Sequence, residues 1–356
     1  MRVVRLLLAI LAVLVLLTGS TWYGLLHTQA GARWLWSQAE RVTGGALAAR
    51  ELSGDLAGGL SVSELAFVAE GASISATAVT LDIEVGLSPL TVAVGTAHIS
   101  GLVVTLRDKG AAETDNERQP FEFEKLRLPF VLTIAQLQLD DARLLRGEQV
   151  TLVAVEHATF AARWAESIAI RNLELRNPAV AAAGDARLRL QQPYDLGIDL
   201  QILAQPELTG LSKAMATHVS AEGPLDAFAV EARSDEPRAK LTGTISGIRQ
   251  SIQWDLALEV PSATLPPEAE LPDVPPISLF AEGSGGTKAF TAHATLGYAG
   301  TTTTASLSAD VDLETGTVSG EVDWTDAQWP PADPDPRVAS RRGRLAVSGS
   351  LDDWTA

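Results

Sequence analysis

The sequence predicts an all-β fold: an elongated, twisted and curled sheet, a groove-like β-repeat solenoid, preceded by a transmembrane helix and a short amphipathic helix. Three observations predict it. Apolar and polar residues alternate with period two through most of the chain beyond residue 50. One phrase recurs at steps of about 36 residues. Between residues 50 and 356 no stretch has the pattern of a helix long enough to cover a sheet.

Composition agrees and excludes several roles. Aromatic residues make up 5 % of the 356, and the 46 % hydrophobic share is largely Ala, Val and Leu, so large side chains for a thick core are scarce. The net charge of −17 repels nucleic acid and anionic headgroups along most of the polar surface. With no cysteine, neither a disulfide framework nor a thiolate metal site can form.

The first element, residues 1–26, reads as a membrane anchor. Arg2 and Arg5 precede 21 residues without charge, Leu6 to Leu26, about the ~20 needed to cross hydrocarbon as a helix. A cleaved signal peptide is the alternative, since the strongly apolar part, Leu6 to Leu17, is short; no A-x-A-like site follows it. Trp22 and Tyr23 stand where an interfacial belt belongs, and Arg2 and Arg5 favour a cytoplasmic N-terminus, which sends the bulk across the membrane. In a bacterial cell that is a single-pass inner-membrane protein with its mass in the periplasm.

Residues 27–45 read as an amphipathic helix. Ala30, Trp34, Gln38 and Val42 recur at helical spacing beside Leu35 and Ala39, and Gly44-Gly45 stops the run. Trp34 and Trp36 are candidates for the membrane interface; a cap packed over the first strands is the equal alternative.

Residues 46–205 carry the repeat. Four copies of h-x-h-x-x-h-x-h occur at 60–67, 97–104, 132–139 and 168–175, with second apolar positions Val62, Ile99, Ile134 and Ile170 spaced 37, 35 and 36 apart. "VTL" at 79–81 and 150–152 supports the same register. Within each copy the alternation slips by one, at Ser63-Glu64, Ser100-Gly101, Ala135-Gln136 and Arg171-Asn172. A bulge or bend at each slip would return both apolar pairs to one face.

Residues 206–356 read as further strands of the same sheet, with Ile252 to Val260 and Phe290 to Leu296 the clearest. The Pro-rich stretches 261–276 and 329–336 and the acidic 111–120 read as loops. The chain stops inside a repeat and is expected to be truncated at its C-terminus.

With the anchor and the Trp-rich helix, "ELSGDLAGGLSVSELAF" (51–67), "LRLPFVLTIAQLQLDDARL" (126–144) and "LRLQQPYDLGIDLQ" (188–201) resemble the N-terminal part of the TamB/AsmA-like family of translocation and assembly module subunits. The resemblance implies a taco-shaped apolar groove of the bridge-like lipid-transfer type, carrying phospholipid between inner and outer membrane. It also implies a TamA-like outer-membrane barrel partner, met through a C-terminal region absent here.

A groove needs an occupant, and phospholipid acyl chains suffice: exposing roughly 30 methylenes at ~0.8 kcal/mol each costs on the order of 25 kcal/mol in water. The candidate lining is the apolar set of the four copies: Leu60, Val62, Leu65 and Phe67; Ile99, Leu102 and Val104; Leu132, Ile134, Leu137 and Leu139; Ile168, Ile170, Leu173 and Leu175. The alternatives are a scaffold for outer-membrane or autotransporter protein assembly, working through an edge strand, and a structural β-solenoid such as an adhesin stalk.

No catalytic, cofactor or metal constellation emerges, so the expectation is a protein that is not an enzyme, with no cofactor, no metal and no nucleic-acid partner. The five histidines are scattered, "EGSGGTKAF" (282–290) lacks Walker spacing and reads as a hairpin, and the Asp pairs at 140–141 and 352–353 read as turns at strand ends.

Overall fold

The computed structural model describes residues 27–69, 71–87, 90–106, 123–147, 150–209, 213–264, 275–299, 301–331, 335–350 and 354–355. The anchor expected at 1–26, with Arg2, Arg5, Trp22 and Tyr23, lies outside them, as do residues 111–120 and the Asp pair at 352–353. No described helix is long and apolar enough to cross a membrane. The chain divides into two units, residues 1–116 with 127–177, and residues 117–126 with 178–356.

The first unit holds helix α1 (Gln29–Val42) and nine strands: β1 (Leu47–Ala48), β2 (Glu51–Asp55), β3 (Gly59–Ala69), β4 (Ala72–Leu87), β5 (Leu90–Ser100), β6 (Val103–Leu106), β7 (Val131–Arg146), β8 (Val150–Trp164) and β9 (Ser167–Arg176). Neighbours are antiparallel except β7, which runs parallel to β5 and β6. Parallel strands cannot be joined by a tight turn, and residues 107–130 separate β6 from β7 in the sequence.

Backbone geometry changes at the slips. Glu64, Gly101 and Asn172 have φ of 50°, 62° and 52°, in the left-handed region, and the β7–β8 ladder shifts register between Ile134 and Leu137. The effect on facing follows from β8, where Ala158, Phe160, Ala162 and Trp164 share one parity. Leu132, Ile134, Leu137 and Leu139 pair with Trp164, Ala162, Phe160 and Ala158; across the other ladder Ile168, Ile170 and Leu175 pair with Trp164, Ala162 and Ala158. Both apolar pairs of the copy at 132–139, and Ile168, Ile170 and Leu175 of the copy at 168–175, therefore stand on one face. Valine at 172 would bring a β-branched side chain into the left-handed region, where an L-residue pays roughly 1–2 kcal/mol. Asn172→Val is expected to lose about that much in urea unfolding, and Asn172→Gly to stay close to wild type.

The repeat alignment needs correction. Val62, Val79, Ile99, Leu139, Ala158 and Leu175 form one row across the ladders. Val62 and Ile99 are thus in step with Leu139 and Leu175, not with Ile134 and Ile170. The "VTL" copies are not equivalent either: Val79 is buried in the middle of β4, whereas Val150 opens β8 and is exposed. The Asp140-Asp141 pair lies inside β7, not at a strand end, with Asp141 at φ 55°.

The second unit is a regular antiparallel meander. Its main strands are β10 (Val180–Arg189), β11 (Asp195–Ala204), β12 (Met215–Pro224), β13 (Ala227–Asp235), β14 (Arg238–Ser246), β15 (Gln253–Ala263), β16 (Ile277–Gly286), β17 (Ala289–Tyr298), β18 (Thr304–Asp312), β19 (Thr317–Trp329) and β20 (Val338–Ser350), followed by the two-residue β21 (Trp354–Thr355). "EGSGGTKAF" forms the β16–β17 hairpin. Described helix here is confined to a 3₁₀ turn at Phe123–Leu126 and α2 at Pro206–Thr209.

Candidate functional site

In the second unit the ladders sort the sequence into two faces. One row reads Leu200, Val219, Ala232, Leu241, Leu258, Ala281, Ala294, Leu307, Val322 and Leu345, without a polar side chain over ten strands. The next row on the same face, Ile198, Ala221, Val230, Gly243, Leu256, Gly283, Ala292, Ala309, Gly320 and Val347, is apolar too. Glycine has a packing role here: the Trp254 ring lies over Gly283, where a Cβ would stand 3.2 Å from it. Nine ladder steps at ~4.8 Å carry the row about 43 Å.

The reverse face is polar. Asp199, Ser220, Glu231 and Thr242 form one of its rows, and Glu282, His293, Ser308 and Glu321 continue at the same level. Some of its charges are paired locally: Arg344 contacts Glu321 at 2.7 Å and Asp323 at 3.0 Å, and Arg233 and Lys240 both reach Glu231.

The apolar face is not closed by described protein. Leu307 and Leu345 are each 43 % exposed, and among the described residues of this unit only two four-residue helical turns occur. A stalk-like solenoid with a dry closed core would bury these side chains. The most deeply buried large side chains gather at one end of the strands, where Leu190, Tyr194, Leu225 and Phe228 are at most 6 % exposed. Tyr194 packs against Phe123, the rings tilted by 53° with centroids 5.4 Å apart, and the Arg249 guanidinium lies 5.0 Å from the tyrosine ring.

The first unit's apolar face differs because α1 covers part of it. Ala32 joins Leu60, Val62, Ala76 and Val79 in a buried cluster, with Trp36, Leu52, Leu56, Leu65, Ile99 and Leu102 packed around it. Leu60 and Val62 are 8 % and 2 % exposed, so these expected lining residues are helix-capped core. Trp36, expected at an interface beside Trp34, packs on the sheet and donates its Nε1–H to Glu40 at 2.7 Å. The Ala30–Trp34 stripe faces away, leaving Trp34 52 % exposed. Small residues decide this: Gly31 and Ala32 let the helix backbone approach the strands. Phe67 lies opposite Leu47 and Ile74, and Val104 opposite Ile74 and Leu144, beyond this cluster's centre. Leu132, Ile134, Leu137, Leu139, Ile168, Ile170, Leu173 and Leu175 are only half-buried.

One polar cluster escapes sequence reasoning. His98 on β5 and His157 on β8 each donate an N–H to Asp140 on β7, at 2.6 and 2.7 Å, and Gln138 adds a third bond at 3.0 Å. The parallel β5–β7 pairing brings His98 alongside Gln138, two residues from Asp140, and no local pattern encodes that. The hydrogen bonds from His157 and then His98 hold the Asp140 carboxyl below its usual 3.8. A carboxyl whose pKa falls on folding adds stability above its unfolded value, lost as pH drops through the folded one. The urea midpoint of wild type is therefore expected to fall more steeply than that of Asp140→Asn from about pH 4 downward. Among the described residues no His, Asp or Glu group could hold a metal ion.

The sequence matches a known family. The profile of the TamB N-terminal domain matches residues 16–144 and again residues 111–301, together most of the 356 residues. The chain belongs to the TamB family. Two overlapping matches to one TamB profile fit a chain whose strand texture repeats. Searches of curated proteins and of solved structures give no match.

Proposed function

We propose that the chain is a TamB-like periplasmic β-groove, anchored in the inner membrane, that carries phospholipid toward the outer membrane. The observation that supports this best is the second unit's apolar face, unbroken across ten strands and left half-exposed. A face of that extent in water is costly, at ~25 cal/mol per Å², unless something apolar covers it. Acyl chains supply such cover while headgroups stay wet, and the polar reverse face keeps the protein soluble.

Tail recognition also reconciles lipid handling with a net charge of −17, since the two central rows carry no cation to select a headgroup. A conduit must pass one lipid along the whole row. With photo-crosslinkers at Leu200 and Leu345, and radiolabelled phospholipid supplied in the inner membrane, adducts are expected at both positions. An adduct at Leu200 alone would refute passage along the face.

A further inference from the structure

We infer that Thr217 and Ser234 form a polar notch in the second unit's apolar face that hydrogen-bonds the ester carbonyl of a bound acyl chain. The inference rests on the lipid reading above and adds to it a lipid orientation. Thr217 and Ser234 are direct ladder partners on β12 and β13. They share parity with Val219 and Ala221 on one strand and with Ala232 and Val230 on the other, so both hydroxyls sit in the apolar face. Ser234 is 8 % exposed, and among the described residues neither hydroxyl oxygen has a hydrogen-bond partner. A buried hydroxyl without a partner costs free energy that an apolar residue of the same shape avoids. A ligand acceptor would remove that cost.

The position fits the end of an acyl chain. Thr217 is the third residue of β12 and Ser234 the penultimate residue of β13, so the pair lies close to one rim of the face. From Ser234 the same face continues along β13 through Ala232 and Val230 to Phe228, three steps of two residues, or about 20 Å at ~3.4 Å per residue. Half of a ~30 Å hydrocarbon core is about 15 Å. A chain with its ester at the notch therefore ends just past Val230, about 14 Å along the strand, short of Phe228 and the buried Leu190–Tyr194 turn.

The chemistry selects a neutral acceptor. The ladder neighbours on that face, Ile202, Met215, Val219, Ala232 and Ala239, carry no charge, and Glu236, two residues beyond Ser234, already has Lys213 at 3.9 Å. A phosphate there would lose its hydration without a cation in return. A carbonyl oxygen has two lone pairs and each hydroxyl one O–H, so both can donate to it. Met215 and Ile202, the longest of these neighbours, can rotate aside to admit it.

The test loads the full chain from vesicles of equal parts dioleoyl diester phosphatidylcholine and its dialkyl diether analogue, which lacks the carbonyls, and measures retained lipid by mass spectrometry. Wild type is expected to retain the diester roughly fivefold over the diether, the effect of one net hydrogen bond. Thr217→Val/Ser234→Ala is expected to retain both equally, with total lipid unchanged. Equal retention by wild type, or a preference surviving in the double variant, overturns the notch while the lipid reading stands. No lipid retained by wild type overturns both.

Discussion

Leu241→Asp combined with Leu307→Asp is expected to lower the phospholipid held by the full chain at least tenfold while leaving the fold intact. Both residues belong to the central apolar row, on β14 and β18. Without lipid, Leu307 is 43 % exposed and Leu241 half-buried, so a carboxylate at either place stays hydrated and unfolding changes little. Beneath an acyl chain the same carboxylate would be desolvated without a partner, at a cost of several kcal/mol, and tenfold requires only about 1.4. Thr242→Asp and Ser308→Asp, one residue away and on the polar face, are expected to leave lipid content unchanged. Equal losses from both pairs would mean that the two faces do not differ in what they bind.

The largest stability effect is expected at Tyr194. It is 1 % exposed, packs against the Phe123 ring, lies under Arg249 and accepts through its backbone carbonyl the N–H of Leu225 at 3.1 Å. Removing a buried aromatic side chain typically costs ~3–5 kcal/mol. Tyr194→Ala should lower the stability of the second unit by that order in urea unfolding, and Tyr194→Phe, which keeps the ring, should recover most of it. A loss below about 1 kcal/mol, the scale of surface substitutions, would show that the cluster does not hold the strand ends together.

Local pattern made much of this fold legible. Period-two alternation located β4, β11, β15 and β17, and the one-residue slips located the left-handed residues Glu64, Gly101 and Asn172. These features are set within a few residues of chain, where sterics and side-chain parity decide. Partner choice is non-local, so the parallel β5–β7 pairing stayed hidden, and with it the true row of Val62, Ile99, Leu139 and Leu175 and the Asp140 cluster.

The second unit's apolar face went unnoticed in the sequence for a related reason. A search for the slipped phrase points to the first unit, where part of the apolar face is covered by α1. The cleaner face lies in the second unit, whose strands run without such slips over most of their length. Nine of the twenty residues in its two central rows are Ala or Gly, too small to register as an apolar pattern beside Leu, Val and Trp. The strict alternation of "FAVEARSD" (228–235) and "AKLTGTIS" (239–246) is the signal that could have found it.

The most direct test of the central claim is a photo-crosslinker walked residue by residue along β14 in the full chain, from Lys240 to Ile245. Phospholipid adducts are expected at Leu241, Gly243 and Ile245 and not at Lys240, Thr242 or Thr244. Adducts at all six positions, at none, or only on the polar parity would contradict a lipid-bearing apolar face.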